Sequence, residues 1–144
     1  MSTTAETLRT LGRRPPAGAK EAERTARELV RAGMPAGVIG HLAKAFGTSV
    51  EEIQRLIGVS RATGTRRRAS RVPLRPTSSD RAFRIAGAYA LAKRVFEDET
   101  NAREWFKERN RALHGERPID LLDTDVGTQE VLRTLNRIEF GIYS

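Results

Sequence analysis

Apolar residues recur at helical spacing along most of this chain, and this periodicity constrains its fold more than any other feature. The pattern is clear at about 20–32, 36–46, 50–57 and 80–96, where each segment carries an apolar stripe on one face. No segment shows the clean alternation of a β-strand, and no internal repeat is present. The sequence therefore predicts an all-α protein.

Composition divides the chain into three parts. Residues 1–19 are rich in Thr, Gly, Pro and Arg, so we expect most of them to form a flexible tail, in which Leu8 and Leu11 could form a short helix or a partner contact. Residues 71–79 contain two prolines and a run of Thr and Ser, which predicts a link between two helical halves. Thr77 or Ser79 is then expected to cap the long helix that follows. The predicted boundaries are 1–19, 20–75 and 76–144.

The formal net charge of +8 is concentrated in one short segment. Residues 53–79 contain seven arginines and no acidic residue, which gives this segment a net charge of +7. Such a concentration is typical of a phosphate-binding surface. The alternative is a solvated, arginine-rich linker.

A helix-turn-helix layout coincides with this basic segment. Ser49 and Glu52 form a capping box at the start of one helix, and Gly58 ends that helix. Ser60 is placed to cap a second helix, which begins at Arg61. The polar side chains of the second helix that we expect to face DNA are Arg61, Thr63, Thr65, Arg66, Arg67 and Arg68.

Two residues depart from the usual helix-turn-helix pattern. Gln54 stands where a small alanine normally lets the two helices approach. Gly64 stands where an apolar residue normally holds the recognition helix, and a glycine within a helix costs about 1 kcal/mol relative to alanine. We therefore expect a recognition helix that is short, frayed or ordered only on DNA, and non-specific binding stays open beside sequence-specific binding.

The segment 110–124 predicts a joint between helices. Asn110 and Gly115 are suited to ending a helix, Pro118 to opening the next turn, and Thr124 to capping the final helix. The residues that define this joint and the segment after it are, in order, Asn110, Leu113, Gly115, Arg117, Pro118, Asp120, Leu121, Leu122, Asp123, Thr124, Val131, Leu135, Arg137, Ile138, Glu139, Gly141 and Tyr143.

In this order these residues resemble the C-terminal toxin-binding domain of the Xre/MbcA/ParS antitoxins, over residues 77–144, and the helix-turn-helix resembles the other half of the same family. The resemblance implies an antitoxin of a RES–Xre toxin–antitoxin system. Such a protein binds a RES-domain toxin, which consumes NAD or transfers its ADP-ribose, and covers the substrate pocket with its C-terminal end. It also implies an autorepressor that binds operator DNA as a homodimer within a larger toxin–antitoxin complex.

Large apolar groups occupy the last residues, where most chains fray. Folding back onto the core is one explanation, which suits Phe140 best, and docking into the cleft of a partner is the other. The predicted toxin-binding residues are Arg133, Arg137, Glu139, Phe140, Ile142, Tyr143 and Ser144.

Little in the sequence indicates catalysis. There is no cysteine, the two histidines lie far apart, and neither a phosphate loop nor a nucleophile elbow is present. The acidic run 97–99 is typical of a solvated loop. We expect a cytoplasmic protein that is not an enzyme and has no metal, cofactor or membrane span. The rival functions are a stand-alone transcriptional regulator without a toxin partner, and an interaction adaptor whose arginines form a linker or an RNA-contacting arm.

Overall fold

The computed structural model describes residues 3–141 of the chain, apart from the side chain of Arg68. Within this range the regular elements are helices, accompanied by one isolated antiparallel bridge between Asn110 and Glu116. The prediction of an all-α protein is confirmed. The α-helices are α1 (Thr3–Thr10), α2 (Ala19–Ala32), α3 (Val38–Phe46), α4 (Val50–Ile57), α5 (Arg61–Ser70), α6 (Pro76–Phe96), α7 (Glu99–Lys107) and α8 (Asp125–Glu139), and two 3₁₀ helices cover Arg111–Leu113 and Pro118–Asp123.

Helix α6 is the centre of the fold. It spans 21 residues and contacts α1, α2, α3, α4, α7 and α8. Small residues such as Ala82, Ala86 and Ala92 are fully buried on it, which lets neighbouring helices approach closely. The largest hydrophobic cluster accordingly includes side chains from both predicted halves, so the two halves share one core.

The expectation of a flexible tail is wrong for residues 3–10, which form the short helix that was the alternative for Leu8. Leu8 and Leu11 are completely buried, and α1 packs against α6 and α2. Thr7 is buried as well, and its hydroxyl donates to the Thr3 carbonyl. Ala5, Leu8 and Leu11 form a stripe at helical spacing, but the stripe is too short to stand out beside the Pro- and Gly-containing residues that follow it.

Several predicted helix caps are confirmed. The hydroxyls of Ser49, Ser60 and Thr124 each accept a hydrogen bond from the backbone amide three residues further on, at 2.9–3.1 Å. The capping box is only half formed, because the Glu52 carboxylate pairs with Arg55 at 2.8 Å instead. In the acidic run, Asp98 caps α7 by accepting from the Asn101 amide at 3.1 Å.

The predicted cap of α6 is wrong. Helix α6 begins at Pro76, before Thr77 and Ser79, and its N-cap residue Arg75 makes no side-chain cap. The buried Ser79 hydroxyl accepts from the Met34 amide at 2.8 Å, so it ties α6 to the loop between α2 and α3. Proline suits the first helical position because its missing N–H would have no partner there.

Candidate DNA-binding and toxin-binding surfaces

Helix α5 presents most of the predicted DNA-binding residues at the surface. Arg61, Thr65 and Arg66 are exposed, whereas Thr63 and Arg67 are partly buried. The side chain of Arg68 lies outside the described part of the structure. Three of these side chains have contacts within the chain. Arg67 donates from Nη1 to the Pro73 carbonyl at 2.5 Å, Arg61 lies 3.8 Å from the Glu51 carboxylate, and the Thr63 hydroxyl accepts from the Ser60 hydroxyl at 2.7 Å.

The two departures from the helix-turn-helix pattern are complementary in space. The Gln54 side chain is buried and lies against Gly64, where an added Cβ would stand 2.2 Å from Gln54 Nε2. The larger residue on α4 therefore occupies the space that the missing side chain on α5 leaves. All ten residues Arg61–Ser70 are helical, so the expected shortening of the recognition helix is not observed.

The Gln54 side-chain amide packs against the recognition helix without making a hydrogen bond to any described residue. Neither Nε2 nor Oε1 has a hydrogen-bond partner in the described part of the chain, although both atoms are buried. A buried polar group without a partner costs about 1–3 kcal/mol. The contact between α4 and α5 is therefore closely packed, but burial of the unpaired Gln54 amide destabilises it.

An ion-pair network connects the helix-turn-helix to the C-terminal joint. Arg117 makes two hydrogen bonds to the Asp120 carboxylate, both 2.9 Å long, and Arg55 of α4 lies 3.6 Å from the same carboxylate. The hydrogen bond with Asp120 is the main cause of the raised pKa of Arg117. Arg55 thus links α4 to the 3₁₀ helix Pro118–Asp123, whose Ile119 and Leu122 are buried in the shared core.

Helix α8 is held on the core and carries the predicted toxin-binding residues at its C-terminal end. Val131 and Leu135 are completely buried. Gly127 permits close contact with the joint, since an added Cβ would lie 2.1 Å from the Leu121 carbonyl oxygen. The start of α8 therefore has a fixed position relative to the 3₁₀ helix before it.

At the far end of α8, Arg133 and Arg137 are exposed and one helical turn apart. The Phe140 side chain is 70 % exposed, so the fold-back interpretation is wrong for this ring. Glu139 is already engaged, because its carboxylate accepts two hydrogen bonds from Arg94 of α6, at 2.9 and 3.2 Å. Ile142, Tyr143 and Ser144 lie outside the described residues.

Sequence reasoning missed two features of α8, one at each end of the helix. Arg94 gave no signal, because its partner lies 45 residues away in sequence. Val126 is 72 % exposed at the start of α8. Its place outside the stripe of Val131 and Leu135 was the available signal for that exposure.

No group of three or more His, Cys, Asp or Glu side chains in residues 3–141 is placed to hold a metal ion. No helix in that range is long and apolar enough to cross a bilayer.

The fold is that of a helix-turn-helix protein whose core continues into a second helical region. Residues 25–87 match the antitoxin Xre-like helix-turn-helix domain, and residues 91–141 match the antitoxin Xre/MbcA/ParS C-terminal toxin-binding domain. The chain belongs to the Xre/MbcA/ParS antitoxin family. The two matches meet inside α6, whereas the predicted boundary at residue 75 lies just before that helix begins.

Known relatives carry the same description. An antitoxin Xre of Photorhabdus laumondii is 26% identical over 117 residues, which cover 81% of this chain and 79% of that protein. An antitoxin Xre of Pseudomonas putida is 35% identical over 69 residues, 48% of this chain and 43% of that protein. The fold is similar to a chain in the crystal structure of the M. tuberculosis MbcT–MbcA toxin–antitoxin complex, with a TM-score of 0.59, 22% identity, and coverage of 76% of this chain and 96% of that chain.

Proposed function

We propose that this antitoxin neutralises a RES-domain, NAD-consuming toxin by covering the toxin's active site with its C-terminal end, and that it represses its own operator through the helix-turn-helix. The observation that carries the first part is the exposed Phe140 ring at the end of a helix whose other face is buried in the core. Aromatic rings presented from a rigid support are typical centres of protein interfaces.

The surroundings of Phe140 support this proposal. Arg133 and Arg137 form an exposed cationic edge beside the ring, and the sequence continues with Ile142 and Tyr143. The ion pair between Arg94 and Glu139 fixes the end of α8 to α6, which lowers the entropy lost when a partner binds. Glu139 therefore acts by positioning the end of α8, while Phe140 and the residues after it enter the toxin.

The charge of α5 supports the DNA-binding part. Arg66, Arg67 and Arg68 would hold phosphates, whereas Arg61, Thr63 and Thr65 would contact base edges. One short recognition helix reads few base pairs, so a homodimer on a symmetric operator is the expected form.

The toxin-binding proposal is tested with two exposed apolar residues, Val126 at the start of α8 and Phe140 directly after its end. Co-expression with the RES-domain toxin should show that Phe140→Ala, or deletion of residues 142–144, weakens the complex and lets cellular NAD fall. Loss of an interface centre costs about 2 kcal/mol or more, close to a 30-fold rise in the dissociation constant. Val126→Ala, at the other end of α8, should protect cells as well as the unmodified chain does.

Three outcomes would change this conclusion. Equal protection by all variants would place inhibition elsewhere on the C-terminal region. An equal loss of protection with Val126→Ala would show that substitutions at either end of α8 weaken the complex, and not Phe140 in particular. Absence of any complex with the toxin would favour the stand-alone transcriptional regulator.

The DNA-binding proposal predicts a change in salt dependence. Arg66→Ala combined with Arg67→Ala should weaken binding to every sequence, because two phosphate contacts are lost. The slope of log affinity against log salt should become less steep by about 2. Lys20→Ala with Arg27→Ala removes two exposed cations from α2 and serves as the control. An unchanged slope in the α5 variant would remove these arginines from the interface.

A further inference from the structure

Helix α5 rests on α4 through a contact that buries a polar amide where an apolar side chain would normally lie. We infer that α5 opens from α4 as a unit in the free protein, and that only the docked form, with α5 against α4, binds the operator. The buried Gln54 amide limits the docked fraction. This inference rests on the proposed DNA-binding function and deepens it, because it concerns how that surface is regulated.

The docked face of α5 contains almost no apolar surface. Among the α5 residues whose burial is described, only Gly64 is buried, and it has no side chain. The two alanines of this helix, Ala62 and Ala69, are both exposed. Burial of apolar side chains is the main force that holds a surface helix on a core. Helix α5 therefore lacks the usual source of docking free energy.

The polar contacts of α5 do little to hold it on α4. The Ser60 cap lies at the start of α5 and moves with the helix. Arg67 donates to the Pro73 carbonyl, which belongs to the segment directly after α5. The ion pair of Arg61 with Glu51 does join α5 to α4, but these side chains are 81 % and 54 % exposed. An exposed pair of this kind contributes little to stability.

The Gln54 amide opposes docking. This residue is 1 % exposed, and neither Nε2 nor Oε1 has a hydrogen-bond partner within residues 3–141. When α5 separates from α4, both atoms become accessible to solvent, so the open form gains hydrogen bonds that the docked form lacks. A buried amide without a partner shifts such an equilibrium by roughly 10-fold.

The ends of α5 allow it to move as one unit. The chain takes left-handed backbone conformations at Gly58, with φ +72°, and at Arg71, with φ +57°, so α5 lies between two sharp turns. A helix of ten residues is marginal on its own in water, and an interior glycine weakens it further. Opening therefore loosens the helix itself as well as its contact. A recognition helix must be ordered to present side chains to the major groove, so the open form should not bind DNA specifically.

Native-state hydrogen exchange of the full chain tests the opening. We expect the α5 amides to exchange at least about 10-fold faster than those of α4 and α8, after correction for intrinsic rates. Low concentrations of urea should accelerate exchange in α8 but not in α5, because a local opening exposes little surface. Gln54→Met, which removes the amide at similar length, should slow the α5 amides about 10-fold. Gln129→Met, the same substitution at an exposed position of α8, should leave them unchanged.

Operator binding tests the link between docking and DNA. Gly64→Ala places a Cβ against the Gln54 side chain and should favour the open form. It should weaken operator binding by about fivefold or more, because the apparent affinity falls with the docked fraction. In a Gln54→Ala background, where space is available, the same substitution should not weaken binding. Exchange at the α8 amides shows that each variant remains folded.

Three results would overturn the inference. If the α5 amides exchanged as slowly as those of α8, and with the same urea dependence, α5 would open only when the whole protein unfolds. If Gln54→Met left α5 exchange unchanged or accelerated it, the amide would not oppose docking. If Gly64→Ala accelerated exchange in α5 without weakening operator binding, docking would not control DNA affinity.

Failure of the proposed function gives a different result. Absence of operator binding by the unmodified chain would contradict DNA binding itself, and with it the link between docking and DNA. The exchange rates of α5 in the free protein do not depend on that outcome, so the two failures are distinguishable.

Discussion

Helices α5 and α8 carry the two proposed binding surfaces, but they are held in place in opposite ways. Helix α8 buries Val131 and Leu135 in the shared core. Helix α5 contributes no buried apolar side chain among its described residues. Its contacts include the Ser60 cap, the Gln54 side chain beside Gly64, the bond from Arg67 to Pro73, and the ion pair of Arg61 with Glu51. Helix α8 therefore provides both a buried face that stabilises the protein and the proposed toxin-binding end. On α5, by contrast, the proposed DNA-binding residues contribute little to stability.

The largest expected effect on stability comes from replacing a side chain on the buried face of α8. Leu135→Ala removes a completely buried side chain and should lower the free energy of unfolding by about 2–5 kcal/mol. Arg66→Ala on α5 should change it by less than about 0.5 kcal/mol, because this side chain is exposed. Urea denaturation measures both. Similar losses for the two variants would contradict the difference between the helices.

A smaller effect on stability is expected at the contact between Gln54 and Gly64. The sign of the effect of Gly64→Ala should depend on whether position 54 is glutamine or alanine. Gly64→Ala alone should destabilise the protein by about 1–3 kcal/mol, because the new Cβ meets a buried side chain and overpacks the site. In a Gln54→Ala background the same change should stabilise, by the helix propensity of alanine, about 1 kcal/mol. A double-mutant cycle of unfolding free energies checks the reversal. Stabilisation by Gly64→Ala in the unmodified chain would show that the two residues do not compete for space.

A further small effect on stability is expected at the pair Arg94–Glu139. The arginine side chain is half exposed, so Arg94→Gln should cost no more than about 1 kcal/mol, and less at high salt. Because the pair fixes the end of α8, hydrogen exchange at the Phe140 amide should become faster, and toxin affinity should fall several-fold. Lys93→Gln, on the next residue of α6, is the control. Unchanged exchange at Phe140 would remove this ion pair from the positioning of the toxin-binding end.

Features encoded within a few residues were predictable from the sequence. The caps at Ser49, Ser60 and Thr124 depend on a hydroxyl and an amide three residues away, and the all-α fold follows from local periodicity. The charge of residues 53–79 is likewise a local property, and it identified α5 as the cationic helix.

Features that depend on distant partners were not predictable. Ser79 was a reasonable cap for its own helix, but it bonds Met34, 45 residues away. Gln54 and Gly64 each seemed a defect in isolation, because only the packed structure shows that one fills the space beside the other. The short stripe of α1 gains its order from α6, which lies more than 60 residues further along the chain.

The central claim is that one shared core presents two separable surfaces, α5 for DNA and the end of α8 for the toxin. The most direct measurement is the affinity of each folded variant for both partners, with Arg66→Ala plus Arg67→Ala on α5 and Phe140→Ala on α8. We expect the first to lose DNA affinity and keep toxin affinity, and the second to show the opposite loss. If either variant, with unchanged unfolding free energy, loses both affinities equally, then the two surfaces are not separable and this account is wrong.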